Sequence, residues 1–342
     1  MKIPATVITG FLGAGKTTLI RHLLENANGK RIALIINEFG DLGVDREMLT
    51  GCGIEGCEED AVIELANGCI CCTVADDFLP AMEKLLELDA PPDHIIIETS
   101  GLALPKPLVK AFNWPEIKSR VTVDGVITVV DSRAVHDGRF ADDPDAVQAV
   151  READAMLDHD SPLEEVFEDQ LLSADLVLLN KSDLLDAAAL QAVEAVVAKQ
   201  TGTGAKVLRT RHGRVDPAVL LGLGAAVEEV IANRKSHHDG DADHDHDDFD
   251  SFVVGLGEID DPEQLESRLR QATQDHDILR VKGFIHVPGK DMRHVIQGVG
   301  SRIQRYYDRP WAAGEERRTA LVIIGEKGLD EGAIRAALMP AA

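Results

Sequence analysis

Apolar residues fall in short unbroken runs through the first two thirds of the chain: "PATVIT" (4–9), "RIALIIN" (31–37), "HIIIET" (94–99), "GVITVVD" (125–131), "DLVLLN" (175–180) and "AKVLRT" (205–210). A strand with one wet face alternates apolar and polar positions. A strand covered on both faces does not, so these runs predict buried parallel strands. Helical spacing fills the intervals at 17–26, 75–88 and 187–200. Alternating strands and helices predict an α/β fold built on a doubly wound, mainly parallel sheet.

The alternation stops near residue 235. "SHHDGDADHDHDDFD" (236–250) has no periodicity and almost no apolar content, which predicts a loosely ordered linker. Beyond it, "FVVGLGEI" (252–259), "ILRVKGFIHVPG" (278–289) and "TALVIIGE" (319–326) read as strands, and "DPEQLESRLRQAT" (261–273) and "DEGAIRAALM" (330–339) as helices. The expected organisation is therefore a large α/β domain over 1–235, a linker over 236–250 and a smaller α+β domain over 251–342. No internal repeat interrupts this plan.

Composition narrows the partners. Apolar residues make up 44% and charged residues 28% of 342, as in ordinary soluble globular chains. No apolar run reaches the ~18 residues that cross a bilayer. The opening "MKIPATVITGFLGAGKTT" enters a strand without a basic and apolar leader, so the expected compartment is the reducing cytoplasm. A formal charge of −25 argues against nucleic acid, which is bound through Lys and Arg clusters. Residues 141–169 and 236–250 together supply −17 of it. Solvated surface is the plainer account of 141–169, and a docking face for a basic partner the sharper one.

One motif carries specific chemistry. "GFLGAGKT" (10–17) fits G-x-x-x-x-G-K-[ST] between a predicted strand and a predicted helix. Gly10, Gly13 and Gly15, with Ala14 between them, let backbone N–H groups turn onto phosphates. Lys16 neutralises the β and γ oxygens, the Thr17 hydroxyl binds Mg²⁺, and Thr18 completes the loop. "LLNKSD" (178–183) ends a strand with N-K-x-D. Asp183 can accept from guanine N1–H and the 2-amino group, which adenine lacks. Asn180 can bond the purine edge or tie loops together, and the Lys181 stem can lie across the base. The expected nucleotide is GTP.

"IIIETSG" (95–101) occupies the position of the second phosphate-sensing motif. Glu98 can reach Mg²⁺ through a water, and the Gly101 N–H can meet the γ-phosphate. No glutamine follows Gly101 to orient an attacking water, because the next residues are Leu102, Ala103 and Leu104. Slow GTP hydrolysis is expected, and a measured turnover above about 1 per second contradicts it.

All five cysteines lie at 52, 57, 69, 71 and 72, three of them in "ELANGCICCTVADD" (64–77). A disulfide scaffold would spread them along the chain, and the compartment opposes it. A thiol nucleophile needs a base, and no histidine lies between Cys69 and His94. Core thiols are common, but three in four positions beside Asn67 and Thr73 fit that role poorly. A soft metal site remains. Cys52 and Cys57 fit an accessory site and plain loop positions equally. His237, His238, His244 and His246 in the linker could capture ions or only solvate a tether.

"VITGFLGAGKTTL", "NEFG", "CICC", "ETSGLALP" and "NKSD", in this order and followed by a His-rich linker and a small C-terminal domain, resemble the CobW family of metal-handling P-loop GTPases. "NGCICCTVADDFLPAM" and "GCGIEGCEED" are most similar to the branch associated with aerobic cobalamin synthesis. The resemblance implies GTP-gated metal delivery, with Cys69, Cys71 and Cys72 supplying thiolates and Glu38 of "NEFG" a candidate oxygen. Thiolates do favour Zn²⁺, Co²⁺ and Cu⁺ over Mg²⁺. Cys69 and Cys71 face one way if the backbone is extended, with Cys72 close behind.

The expectation is thus a GTPase that binds Co(II) in its Mg-GTP state and hands it to an acceptor metalloprotein, which the resemblance implies is a cobaltochelatase. A zinc chaperone of the same family, a nucleotide-regulated metal buffer built on the His/Asp linker, and a signalling GTPase without metal are the rivals. Nothing in the sequence sets the oligomeric state.

Overall fold

The computed structural model describes residues 2–36, 62–64, 78–153, 162–222, 249–312 and 315–339. The chain divides into two compact units, Lys2–Val215 and Asp216–Ala342.

In the first unit seven strands form one sheet: β1 (Ile3–Thr9), β2 (Ile32–Ile36), β3 (Val62–Glu64), β4 (His94–Glu98), β5 (Val121–Asp131), β6 (Leu176–Asn180) and β7 (Lys206–Arg209). Their order is β3-β2-β4-β1-β5-β6-β7, and every pairing is parallel. Every residue of β2, β4, β5 and β6 is buried, which is why their sequences run apolar without alternation. Helices cover both faces. On one, α2 (Leu79–Leu86) and α3 (Pro105–Ala111) pack Met82, Leu85 and Leu108 against Ala5, Val7, Ile35 and Ile97. On the other, Val130, Val177 and Leu179 share a core with later helices described below. The doubly wound architecture is therefore realised, with no antiparallel strand in this sheet among the described residues.

Two features depart from expectation. β5 begins at Val121 rather than Gly125. Its pairing with β1 skips from Val123 to Gly125, so Asp124 is accommodated in a bulge. β3, three residues long, is too short to register as a run.

The second unit opens with a five-residue helix, here labelled α9 (Pro217–Leu221). Five antiparallel strands follow: β8 (Phe249–Leu256), β9 (Ile278–Ile285), β10 (Met292–Val299), β11 (Arg302–Pro310) and β12 (Thr319–Glu326), in the order β11-β10-β9-β12-β8. α10 (Pro262–Asp275) and α11 (Glu331–Leu338) cover one face through Leu265, Leu269, Ile334 and Leu338. Phe249 and Asp250, which the sequence assigns to the linker, are the first residues of β8. Residues 216–222 group with this unit and not with the sheet before them. The Arg280 guanidinium donates to the Leu220 carbonyl at 3.0 Å. Gly222 closes the helix at φ +62°, where an added Cβ would lie 2.6 Å from Arg280 Nε.

β10 and β11 escaped the sequence pattern because polar residues interrupt their apolar ones, and in β10 Arg293, His294 and Gln297 are themselves buried. Arg293, fully buried, pairs with Asp308 at 2.5 Å and stacks 3.8 Å above the Phe284 ring. A hydrogen bond from Arg309 holds the Glu315 carboxyl down to about 2. Gly300-Ser301 turns the hairpin between Val299 and Arg302, with Gly300 at φ +53°. Among the described residues no helix is long and apolar enough to cross a membrane.

His294 gives this unit a pH dependence. It stacks on Tyr307 at 4.4 Å, and burial, aided by the charge of Arg305 and opposed by Glu266, lowers its pKa from 6.5 to about 4. The unfolded chain takes the proton first as pH falls. The stabilisation is present above the unfolded value and is lost on descending towards the folded one. Between pH 7 and pH 5, the wild type should lose on the order of 1–2 kcal/mol more than His294→Phe, which keeps the stack. Urea midpoints of the two proteins at both pH values check this, and equal losses contradict it.

Candidate functional site

Parallel pairing brings the C-terminal ends of β1, β4, β5 and β6 to one edge of the sheet, the place where open α/β sheets bind ligands. From β1 the chain passes into the glycine loop. Gly10 (φ +137°), Gly13 (φ +79°) and Gly15 (φ +104°) all have positive φ. At Gly10 a Cβ would meet Val129 O at 2.2 Å, and at Gly15 it would meet Asn180 Nδ2 at 2.3 Å. These two positions tolerate nothing larger. Ala14 N–H donates to Phe11 O at 3.1 Å and closes the turn.

Helix α1 (Lys16–Glu25) starts directly from this loop. Its N-cap is Gly15, with no side-chain cap and no acid in the first turn. The first N–H groups of a helix lack intrahelical partners and carry its positive end. Here nothing from the first turn's own side chains competes for them, so the loop fits an anion. Lys16 is buried, Thr17 half-buried and Thr18 exposed.

Glu98, fully buried at the end of β4, lies in register with Ile8 of β1 and Ile36 of β2. Thr99 N–H donates to Ile8 O at 3.0 Å and carries the chain over β1. Gly101 then abuts the glycine loop: a Cβ there would sit 2.8 Å from the Leu12 nitrogen. The two phosphate-directed motifs of the sequence are thus in backbone contact.

The N-K-x-D segment reaches the glycine loop through one carboxamide. Asn180 Nδ2 donates to Ala14 O at 2.8 Å, and its Oδ1 accepts the Gly213 N–H at 3.0 Å. Of the two roles open to Asn180 in sequence, the loop tie is the one these bonds perform. Lys181 has φ +57°, and its ammonium donates to Asp131 at 2.5 Å. Asp183 is exposed in the turn Ser182–Leu184, which is held by Ser182 Oγ donating to Thr210 O at 2.8 Å.

Three residues with structural roles here were not singled out in the sequence. Asp131, buried at the end of β5, caps α5 (Ser132–His136) through Arg133 N–H and Ala134 N–H while holding Lys181. An aspartate at a strand end before Ser-Arg is a recognisable cap signal. Gly213 (φ +64°) packs against Leu19 of α1, where a Cβ would lie 2.8 Å from the Leu19 nitrogen. Gln170 has no local signal at all. His212 is exposed at φ +54° and no role attaches to it.

Glu38, Cys52, Cys57, Cys69, Cys71, Cys72 and the linker histidines 237, 238, 244 and 246 lie outside the described residues. Among the described residues no group of three or more His, Cys, Asp or Glu is placed to hold a metal ion.

Sheet order, glycine loop and helix N-terminus define a P-loop nucleotide-binding protein. Residues 4–209 match the family described as CobW/HypB/UreG, nucleotide-binding domain, and residues 249–342 match the cobalamin synthesis protein cobW C-terminal domain. The chain belongs to the CobW family. It is 63% identical over 341 residues, 98% of this chain and 96% of the other, to a protein of a Sinorhizobium species named zinc chaperone CobW. It is 54% identical over 338 residues, 97% and 90% of the two chains, to a Pseudomonas aeruginosa protein of the same name. The zinc chaperone YjiA of Escherichia coli K12 is 33% identical over 98% of this chain and 97% of its own.

Asn180→Ala would strip both Ala14 O and Gly213 N–H of their partner. A buried polar group left unpaired costs about 1–3 kcal/mol. Asn180→Asp keeps an acceptor for Gly213 but sets a carboxylate against the Ala14 carbonyl. Both variants should lower the thermal midpoint of the nucleotide-free protein, and scanning calorimetry without added nucleotide reads it. A wild-type midpoint in both contradicts the tie.

Proposed function

We propose that the chain is a GTP-hydrolysing metallochaperone that carries a soft divalent cation on Cys69, Cys71 and Cys72 and yields it to an acceptor metalloprotein. In this scheme the Gly10–Thr18 loop receives the phosphates and Lys16 neutralises the β and γ oxygens. Asp183 selects guanine while Asn180 and Lys181 hold the base motif in place. Thr17 and Glu98 would hold Mg²⁺, which supplies charge neutralisation between the phosphate oxygens. Water attacks the γ-phosphorus and GDP and phosphate leave. Glu38 is proposed as an oxygen ligand to the cargo. A reducing cytoplasm is the compartment that keeps the thiolates available.

The observation that carries this reading is a register. Ile36 pairs with Glu98 on one side and with Glu64 on the other. Glu38 follows Ile36 by two residues and Cys69 follows Glu64 by five. The strand ends from which the two cargo segments leave are therefore the first and second neighbours of Glu98, itself three residues before Gly101.

Zn(II) is the proposed cargo, because the relatives at 63% and 54% identity are both named zinc chaperones. Co(II), with a cobaltochelatase as acceptor, is the reading from the resemblance alone. Site affinities follow an order in which zinc and copper exceed cobalt, so a carrier that must also release its ion gains from a nucleotide switch.

Co(II) serves as the visible probe for either cargo. Titrated into the reduced protein, it should give intense thiolate charge-transfer and tetrahedral bands at one equivalent with Mg-GTP. The bands should be weaker with Mg-GDP and lost in Cys71→Ser/Cys72→Ser. Displacement by a stoichiometric amount of Zn(II) supports zinc, and resistance to it supports cobalt. Weak bands indifferent to nucleotide, and abolished by deleting 236–250, would place the metal on the histidine linker and overturn the proposal.

A further inference from the structure

Helix α7 (Leu163–Ser173) buries Leu163, Val166, Phe167, Gln170 and Leu171. Four of these are apolar and belong to the core that also holds Phe11 of the glycine loop and Leu102 of the loop after β4. Gln170 is the exception, fully buried in an apolar stripe. Burying a carboxamide is costly unless its donors are used. Both are: Gln170 Nε2 donates to Gly101 O at 3.0 Å and to Ala103 O at 3.2 Å. Two carbonyl acceptors fix which end of the amide is nitrogen. The Gln170 main-chain carbonyl accepts from Thr128 Oγ1 of β5 at 3.0 Å, so the residue is anchored to the sheet as well.

The loop it grips is the one that abuts the glycine loop. Ser100 to Ala103 form a turn, with Ala103 N–H donating to Ser100 O at 3.0 Å, and Leu102 is buried beneath it. Gly101 sits at van der Waals range from Leu12. Drawing the carbonyls of residues 101 and 103 towards α7 sets how closely Gly101 approaches the glycine loop.

We propose that Gln170 is the positioning residue that holds the loop Ser100–Leu104 in its γ-phosphate-sensing place, and so sets the preference for GTP over GDP. This rests on the reading of the glycine loop as a GTP site. Gln170 touches no phosphate itself. It acts through Gly101, whose N–H meets only the γ-phosphate, so a diphosphate does not sense it.

Gln170→Met keeps the length and the apolar contacts while removing both donors, and Gln170→Glu keeps the shape while replacing donors with acceptors. In the full-length protein, GTPγS affinity and kcat should each fall about tenfold in Gln170→Met, the loss of two net hydrogen bonds. GDP affinity should stay within about twofold, since no contact to it changes. Gln170→Glu should lose more than Gln170→Met in GTPγS affinity and again spare GDP. Equal losses for GTPγS and GDP, or no loss for either, would overturn the inference, because a purely structural role moves both nucleotides together. Gln170→Glu supplies the ratio if Gln170→Met does not fold. Wild-type protein that binds neither nucleotide would overturn the GTP reading itself, a result distinguishable from a wild type that binds both with a ratio the variants leave unchanged.

Discussion

The site exists because β1 is paired on both sides by parallel neighbours. Parallel strands point their C-terminal ends one way, so Thr9, Glu98, Asp131 and Asn180 reach the same edge although they are scattered over the first 180 residues. Register does the fine placement: Ile8 lies level with Glu98, Thr9 with Thr128 and Asp131 with Asn180. A slip by one residue would turn each of these side chains to the opposite face and bury the wrong set. The apolar shells on both faces of the sheet resist such a slip, so the core and the site are specified by one pattern.

Above that edge, precision comes from amides and carboxylates and not from apolar contact. Asn180 fastens the glycine loop to the loop at Gly213, Asp131 fastens Lys181 to the start of α5, and Gln170 fastens the turn at Gly101 to α7. Each is buried and each spends its hydrogen bonds on main-chain groups or a single ammonium. A loop held this way has few alternative positions, because leaving any one strands a buried polar atom.

Sequence and structure agree most where the physics is local. Unbroken apolar runs marked six strands of the parallel sheet, and fixed glycine spacing marked the loop, since positive φ at Gly10, Gly13 and Gly15 is a demand on each residue by itself. The C-terminal hairpin was illegible for the opposite reason. Arg293 and Gln297 look like surface, and Asp308, Glu315 and Phe284, brought alongside by the fold, make burying Arg293 tolerable. Gln170 was hidden in the same way. Its partners lie nearly seventy residues earlier, and nothing in "LEEVFEDQLLS" hints at them. The cysteine motif was the clearest metal signal in the sequence and lies among residues the structure does not describe.

The seam between the units falls on a single peptide bond. Val215 O accepts from His22 of α1 at 3.1 Å, while the next residue, Asp216, caps α9 through the Ala218 N–H at 2.7 Å. A shortened N-terminal half should therefore end at Val215. Ending it at 235 would carry α9 away from Arg280, stranding helix carbonyls in one piece and a buried guanidinium in the other. For anyone dividing this gene, the difference of twenty codons separates a cut along the grain from one across it.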